Sequence, residues 1–562
     1  MKRTPPLPHR RHLSPRWLAP CLLLIIGVSG CAGAPPAPVT SAAPATATPD
    51  PTRHPAPTAT SPARAPATSI TPAQRLAARI NAFISQPRFA SAQWGISVVS
   101  LADGDTLYAH NADKLGIPAS NTKLYTTALA LSTMGADARI HTTLYATARP
   151  RRGTLDGDLI LYGRGDPTLG AGSDQHTPNA WSDHLAAALA ARGIKRVHGS
   201  IVADATWFDG PPIAPGWEAR DLQSWYVPPA SALTVNGNMF YLSVGPHDGL
   251  CCDVNTSPES SGANIVNLAQ TDPSASWSDL GIYRPPGSTQ LYVYGGMQPR
   301  AKTRHFVLSS PDPAHMAGEL LLDALARYGI SVSGGVRSLH WPQTDAAIGA
   351  PGTRTIASVV SPPLGKIVHH TLKHSDNLYA ELLMLAAGKR LSERGNCPDR
   401  TRAPATTLAW ARCGMRQMLA RIGIDKHHAL IEEGSGLSRK DLVTPRATTR
   451  LLAWATHQPF ASVYRDALPL AGVDGTLKHR MRNTLANDNV QAKTGTLRYS
   501  YTLSGYVTDA AGQPLVFSLM LEDYARPTDA QDRRAGPSPQ HDLDAVAEML
   551  ANFGRMPTTP AR

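Results

Sequence analysis

The sequence predicts a mixed α/β fold of the α+β kind: one antiparallel sheet flanked by helices, interrupted by inserted β-rich domains. Three observations predict it. Alternating strands stand near both ends of the main body, at 94–109 and at 501–521. Apolar stripes at helical spacing flank each pair, and the two periods distinguish a half-buried strand from a helix. Between them, residues 148–353 change texture to many short strands, Gly and Pro turns, and two helices.

Residues 1–30 read as an address. Lys2, Arg3, Arg10, Arg11 and Arg16 precede an apolar run from Trp17 to Ser29. That run falls short of the about 20 apolar residues a spanning helix needs, and its pattern is that of a secretory signal. Val28-Ser29-Gly30-Cys31 resembles the lipobox of bacterial lipoproteins. The resemblance implies cleavage before Cys31 and a lipid on that cysteine; the alternative is a plain signal peptide. A single acyl chain binds membranes only marginally, so stable anchoring requires a multiply acylated terminus. Ala32, where an Asp would signal inner-membrane retention, points to the periplasmic side of a Gram-negative outer membrane. Residues 31–72 are dominated by Pro, Ala, Thr and Ser, too poor in large apolar groups to fold, and read as an extended tether.

The main body has a first part at 73–147. Thr71-Pro72 caps a helix whose face carries Leu76, Ile80 and Phe83. A β-hairpin follows, 94–101 and 106–109 about a turn at 102–105, and then an apolar helix from Leu124 to Met134 ending at Gly135. In the insert, helices stop at Leu189-Ala-Ala-Arg-Gly-Ile194 and Leu325-Ala-Arg-Tyr-Gly-Ile330, and Leu419-Ala-Arg-Ile-Gly-Ile424 ends a third beyond it. Each places Arg in the last turn, where it complements the helix dipole, and Gly just past it. The second part of the body, 354–556, closes with strands Tyr501–Val507 and Pro514–Leu521 and a helix striped by Leu543, Val546, Met549 and Leu550. Residues 557–562 are a tail.

The formal net charge is +12, of which five positive charges lie in the leader, leaving +7. These charges are scattered, and without a basic stripe or a binding motif there is no case for nucleic acid. Cys21 and Cys31 belong to the N-terminal segment. Of the other four, Cys251 and Cys252 are adjacent, while Cys397 and Cys413, sixteen apart, can pair as a disulfide in an oxidising compartment; buried or free thiols are the alternative for all four. Neither paired C-x-x-C units nor H-E-x-x-H occurs, so no metal site and no cofactor are expected.

Three motifs carry chemistry. Ser120-Asn-Thr-Lys123 is the sole S-x-x-K, Ser375-Asp-Asn377 the sole S-x-N, and Lys493-Thr-Gly495 the sole K-T-G. Residues three apart share a helix face, so Lys123 projects beside the Ser120 hydroxyl. Serine needs a base to become a nucleophile, and lysine is a base only when neutral, through desolvation or a nearby like charge such as Lys493. The Ser120 and Thr496 N–H groups suit an oxyanion. Ser375 can relay a proton to a departing amine, and Asn377 can hold a substrate amide. Gly495 lets a substrate backbone approach, and Lys493, Thr494 and Thr496 suit a terminal carboxylate.

These motifs, in this order, resemble the active-site set of the penicillin-binding proteins and serine β-lactamases. Further segments narrow the resemblance to the class C penicillin-binding proteins, the D-alanyl-D-alanine carboxypeptidase/endopeptidases: Gly157-Asp-Leu-Ile-Leu-Tyr-Gly-Arg-Gly-Asp-Pro-Thr-Leu169, Ala214-Pro-Gly-Trp217, Ser231-Ala-Leu-Thr-Val235, Gly434-Ser-Gly-Leu-Ser-Arg439 and Leu468-Pro-Leu-Ala-Gly-Val-Asp-Gly-Thr-Leu477. It spans about 74–554. It implies a transpeptidase fold with domains inserted between Ser120 and Ser375, which lie 255 residues apart. It also implies action on peptidoglycan stem peptides and crosslinks, and acylation by β-lactam antibiotics. The family meets the amine of the stem peptide's diamino acid with an Asp of the insert. Asp221 fits by its place between Trp217 and Tyr226; Asp209 competes, and an ordinary exposed Asp is the remaining alternative. The chain departs from the family at Glu433, where Asp is usual, and at Glu522-Asp523, where Asn is common, both outside the motifs. Two other readings are a β-lactamase, whose class A members deacylate with an E-x-x-L-N run not found between the second and third motifs, and a non-catalytic penicillin-binding lipoprotein.

Overall fold

Thr71 sets the first described helix. Its hydroxyl accepts from the Gln74 N–H while the Gln74 side chain takes the Thr71 N–H, a reciprocal cap that starts α1 (Pro72–Ile84). The structure, a computed structural model, describes residues 71–170, 179–247, 250–276, 279–395, 397, 403–528, 534 and 536–554. The leader, Cys31, nearly all of the tether and the tail at 557–562 lie outside the described residues.

Along the chain follow β1 (Gln93–Ser100), β2 (Thr106–His110) and α2 (Thr122–Met134), which ends at Gly135. The insert contains β3 (His141–Ala146), β4 (Leu159–Tyr162), α3 (Ala180–Ala190) and β5 (Ile201–Asp204). Then come β6 (Met239–His247), β7 (Leu250–Ser257), β8 (Asn264–Thr271), β9 (Gly281–Tyr283), β10 (Gln290–Met297) and β11 (Arg304–Ser309). It closes with α4 (Pro313–Arg327), β12 (Val336–Leu339) and β13 (Arg354–Val360). The second part carries α5 (Leu364–His374), α6 (Asn377–Arg394), α7 (Thr407–Arg421), α8 (Pro445–Ala455), α9 (Ala461–Asp466), β14 (Gln491–Leu497), β15 (Ser500–Thr508), β16 (Pro514–Glu522) and α10 (Pro539–Ala551).

The expected sheet is present: β14-β15-β16-β1-β2, antiparallel throughout, with Gln93 opposite Glu522 and Lys493 opposite Ser504. Helices cover both of its faces. On one side, α1 and α10 bury Leu76, Ile80, Val546 and Leu550 against Ile96, Phe517 and Leu519. On the other, α2, α5, α6, α7 and α8 form a core around Leu124, Tyr125, Leu383, Met415 and Leu451, to which Val516 and Met520 contribute from the sheet. Cys397 and Cys413 are bonded, with Cα atoms 6.0 Å apart.

The insert comprises two structures. One is a mixed sheet, β12-β5-β4-β3-β13, in which β5 pairs parallel with both neighbours and α3 and α4 pack against it. Because β3 and β13 pair antiparallel, His141 opposite Val360, this sheet runs past 148 and 353 on both sides. Leu378, Leu382 and Leu385 of α6 enter its core, so one helix serves body and insert together. The other is a small β structure made of β11-β6-β7 and β8-β10-β9 around Phe240, Leu242, Leu291 and Val293.

Candidate active site

The turn before α2 places the first motif. Ala119, at φ +46°, bends the chain into a 3₁₀ turn, Ala119–Asn121, that runs into the helix. The sheet holds this turn from below. The Thr502 hydroxyl donates to Pro118 O at 2.9 Å, and the Asn121 amide donates to the Ser504 hydroxyl at 2.7 Å. A Cβ at Gly495 would lie 2.1 Å from the Thr502 hydroxyl oxygen and 2.6 Å from Pro118 O. The missing side chain of Gly495 therefore faces the turn that carries Ser120, giving that glycine a packing reason alongside the expected approach of substrate.

Lys123 stands in the first turn of α2 with no exposed surface. Its Nζ is 3.0 Å from Ser120 Oγ, 2.6 Å from Asn377 Oδ1 and 2.6 Å from Ser435 O. Asn377 cannot turn that oxygen away, because its amide nitrogen donates to Tyr226 O at 2.8 Å. A neutral lysine has two N–H bonds and one lone pair. Two carbonyl acceptors take the N–H bonds, leaving the lone pair for the Ser120 hydroxyl proton.

The other motifs close around this pair. Ser375 ends α5 in the left-handed region, φ +58°, and Asp376 caps α6 by accepting from the Tyr379 N–H. Lys493, fully buried on β14, donates to Ser375 Oγ at 2.8 Å and to Thr494 O at 2.7 Å. Burial is the main cause lowering both lysines. It brings Lys123 to about 8 against the pull of Glu433 and other carboxylates, and it takes Lys493 well below the usual lysine range, with the Lys123 charge adding to that. The expected like-charge effect thus falls on Lys493, and desolvation accounts for Lys123.

Above Ser120 opens a cleft of about 610 Å³, lined by Ser375, Asn377, Thr494, Thr496 and, on its far wall, Asp221. Asp221 ends a 3₁₀ turn of the insert and has Arg220 at 3.8 Å. The segment just after it is tied to the small β structure. Half-buried Arg284 donates to Leu222 O at 2.7 Å, and its own N–H donates to the Gln223 side chain at 2.7 Å. Asp209 lies elsewhere, paired with Lys389 at 3.0 Å on α6.

Sequence reasoning missed several participants. Thr476, in the quoted Leu468–Leu477 segment, shares a hydrogen bond of 2.9 Å with the Thr494 hydroxyl. Lys373, two residues before Ser375, anchors that segment through Leu468 O and Asp474. Glu433 lies outside the motifs but only one residue removed from them. Its carboxylate holds the Ser435 N–H and hydroxyl, and Ser435 O is a partner of Lys123. The only signal in the sequence was the unusual acid before Gly434.

Over residues 76–543 the chain matches the D-Ala-D-Ala carboxypeptidase 3 (S13) family. A D-alanyl-D-alanine carboxypeptidase of Actinomadura sp. (strain R39) is 34% identical over 489 residues, 84% of each chain. The D-alanyl-D-alanine carboxypeptidase DacB of Haemophilus influenzae is 26% identical across 74% of this chain and 82% of its own. Among solved structures, penicillin binding protein 4 (dacB) from Haemophilus influenzae superposes with a TM-score of 0.70 at 22% identity, covering 83% of this chain and 97% of that one. A structure of the same protein complexed with a β-lactam gives 0.65 at 21% identity, covering 84% and 99%.

Proposed function

The chain belongs to the D-Ala-D-Ala carboxypeptidase 3 (S13) family, and from that premise we propose that it cuts D-alanyl peptide bonds of peptidoglycan through an acyl-enzyme on Ser120. The observation that carries this reading is Lys123 Nζ, buried, 3.0 Å from Ser120 Oγ and flanked by two carbonyl acceptors. Lys123 takes the hydroxyl proton as Ser120 Oγ attacks the D-Ala carbonyl carbon. The resulting oxyanion sits on the Ser120 and Thr496 N–H groups. Collapse expels the amine, to which Ser375 relays the proton that Lys123 took, keeping its own hydroxyl; water then attacks the ester carbonyl, freeing the acid and returning a proton to Ser120.

The terminal carboxylate of the substrate belongs beside Lys493, Thr494 and Thr496. Its negative charge favours the ammonium form of Lys493, which burial opposes. Penicillin carries the equivalent carboxylate, which supports acylation of this chain by β-lactams. Where the departing amine is free D-Ala the reaction is carboxypeptidation. Where it is the side-chain amine of a neighbouring stem peptide, the same attack opens a crosslink. We propose both activities, together with a periplasmic address and a lipid on Cys31.

A labelled penicillin is expected to form a stable adduct on Ser120, and Ser120→Ala to abolish it while the protein still melts cooperatively. Adduct on another serine, found by peptide mapping, overturns the assignment. Acylation is expected to quicken as pH rises through about 8, where Lys123 loses its proton and becomes a base. Digestion of crosslinked and uncrosslinked muropeptides separates the two proposed activities.

A further inference from the structure

Beneath Lys123 lies a cluster of acids that the steps above do not use. Glu433 is fully buried. One of its oxygens accepts from the Ser435 N–H at 2.9 Å, the Ser435 hydroxyl at 2.5 Å and the Trp217 indole at 3.3 Å. The other accepts from the N–H groups of Gly436 at 2.5 Å and Ser438 at 3.3 Å. A carboxylate removed from water is costly unless saturated in this way. Four of these donors belong to the short loop 435–438, so the side chain acts as the form around which the loop is folded.

Other groups clamp the same loop from outside. Glu381 of α6 accepts from the Gly434 and Ser435 N–H groups, each at 2.8 Å. Thr126 of α2 donates to Gly434 O at 2.7 Å. Asp441 accepts from the Glu432 N–H and from the hydroxyl of Thr122, the residue before Lys123. Gly436 has φ +84°, and a Cβ there would lie 1.9 Å from Ala119 O, so the loop and the nucleophile turn meet backbone to backbone. What this packing determines is the direction of one carbonyl, Ser435 O, 2.6 Å from Lys123 Nζ.

We propose that Glu433 is a positioning residue for the proton transfer: it sets the Ser435 carbonyl that takes one N–H of Lys123, and so aims the lysine lone pair at Ser120. This rests on the reading of Lys123 as the base. The Trp217 bond extends the same role to the cleft wall, because Trp217 and Asp221 belong to one segment of the insert. The charged and titratable groups facing Lys123 are Lys493 from β14, Asp376 at the start of α6, Glu381 within it, and Glu433 and Asp441 from the loop. Burial holds Glu381 and Asp441 well above the usual carboxylate range, and the negative charge of the cluster rests on Glu433. Of the groups that favour protonated Lys123, Glu433 is the strongest.

The test follows acylation of the full chain by a fluorescent penicillin against pH, with a melting curve for every variant. Glu433→Gln keeps the shape, removes the charge and turns a donor toward N–H groups. It is expected to slow acylation on the order of 10- to 100-fold, as small misplacements of reacting groups do, and to move the acid limb to lower pH. Glu433→Asp retains the charge and is expected to recover most of the rate with the limb in its original place. Ser435→Ala, which loses one hydrogen bond to Glu433, should slow the reaction by about three- to tenfold without moving the limb, and it carries the test if Glu433→Gln does not fold. Wild-type rates in Ser435→Ala, or in a folded Glu433→Gln with an unmoved limb, overturn the proposal. Equal slowing by Gln and Asp with a fixed limb reduces Glu433 to a structural role. Near-normal acylation by Lys123→Ala instead removes the underlying reading of the base, whatever the Glu433 variants do.

Discussion

At the scale of single residues, the site separates groups that make bonds from groups that recognise. We assign Asp221 to the second kind: it lines the cleft and has Arg220 at 3.8 Å. A carboxylate meeting a substrate ammonium contributes a charge-assisted contact of roughly 1.5–3 kcal/mol. Asp221→Ala is therefore expected to reduce kcat/KM on a stem peptide with a free side-chain amine on the order of 10- to 100-fold. The acetylated peptide and penicillin, which lack that amine, should react at nearly normal rates. Equal losses on all three substrates would make Asp221 a support of the fold; no loss on any would end its role. Ser120, Lys123, Ser375, Asn377 and Lys493 were legible because each motif has a fixed local spacing imposed by a helix turn or a strand. Glu433, Glu381 and Asp441 were not, since their pairing depends on burial and on residues some 50 positions apart meeting in space.

At the scale of elements, the strands at 94–109 and 501–521 announced one sheet through their alternation, and they join one, with β16 beside β1, an order the alternation does not give. The edges of the insert were harder to read. Nothing in the periodicity of 141–146 and 354–360 shows that these strands pair with each other, because alternation identifies a strand and not its partner. The disulfide was one open reading of Cys397 and Cys413, since spacing alone does not fix a pairing. It ties the segment after α6 into α7, closing a loop of 16 residues, which in the chain-entropy account stabilises the fold by about 3 kcal/mol. Cys397→Ser should lower the unfolding free energy by about that amount in denaturant titration. Because the bond lies away from the cleft, the folded variant should acylate normally. An unchanged midpoint would show that the bond contributes nothing.

At the scale of the whole molecule, the groups proposed for bond-making and for recognition come from different stretches of chain. The sheet and helices of the body supply Ser120, Lys123, Ser375 and Lys493, and the insert supplies the wall with Asp221, secured from behind by Arg284. The N-terminal segment gives this assembly its proposed address. Radiolabelled fatty acid is expected to enter the mature protein at Cys31, and Cys31→Ser to release soluble or unprocessed chain; a wild-type protein that is soluble and begins elsewhere refutes the anchor. The dispersed partners of Lys123 have a further consequence, in time rather than in space. Asn377 and Ser435 lie 254 and 312 residues downstream of that lysine, and Lys493 comes later still. A chain made from its N-terminus at roughly 5–20 residues per second presents Ser120 tens of seconds before the last motif exists. Until then the lysine is solvated, protonated and without its acceptors, so the newborn serine is inert. The proposed nucleophile therefore stays disarmed until the fold that controls it is complete.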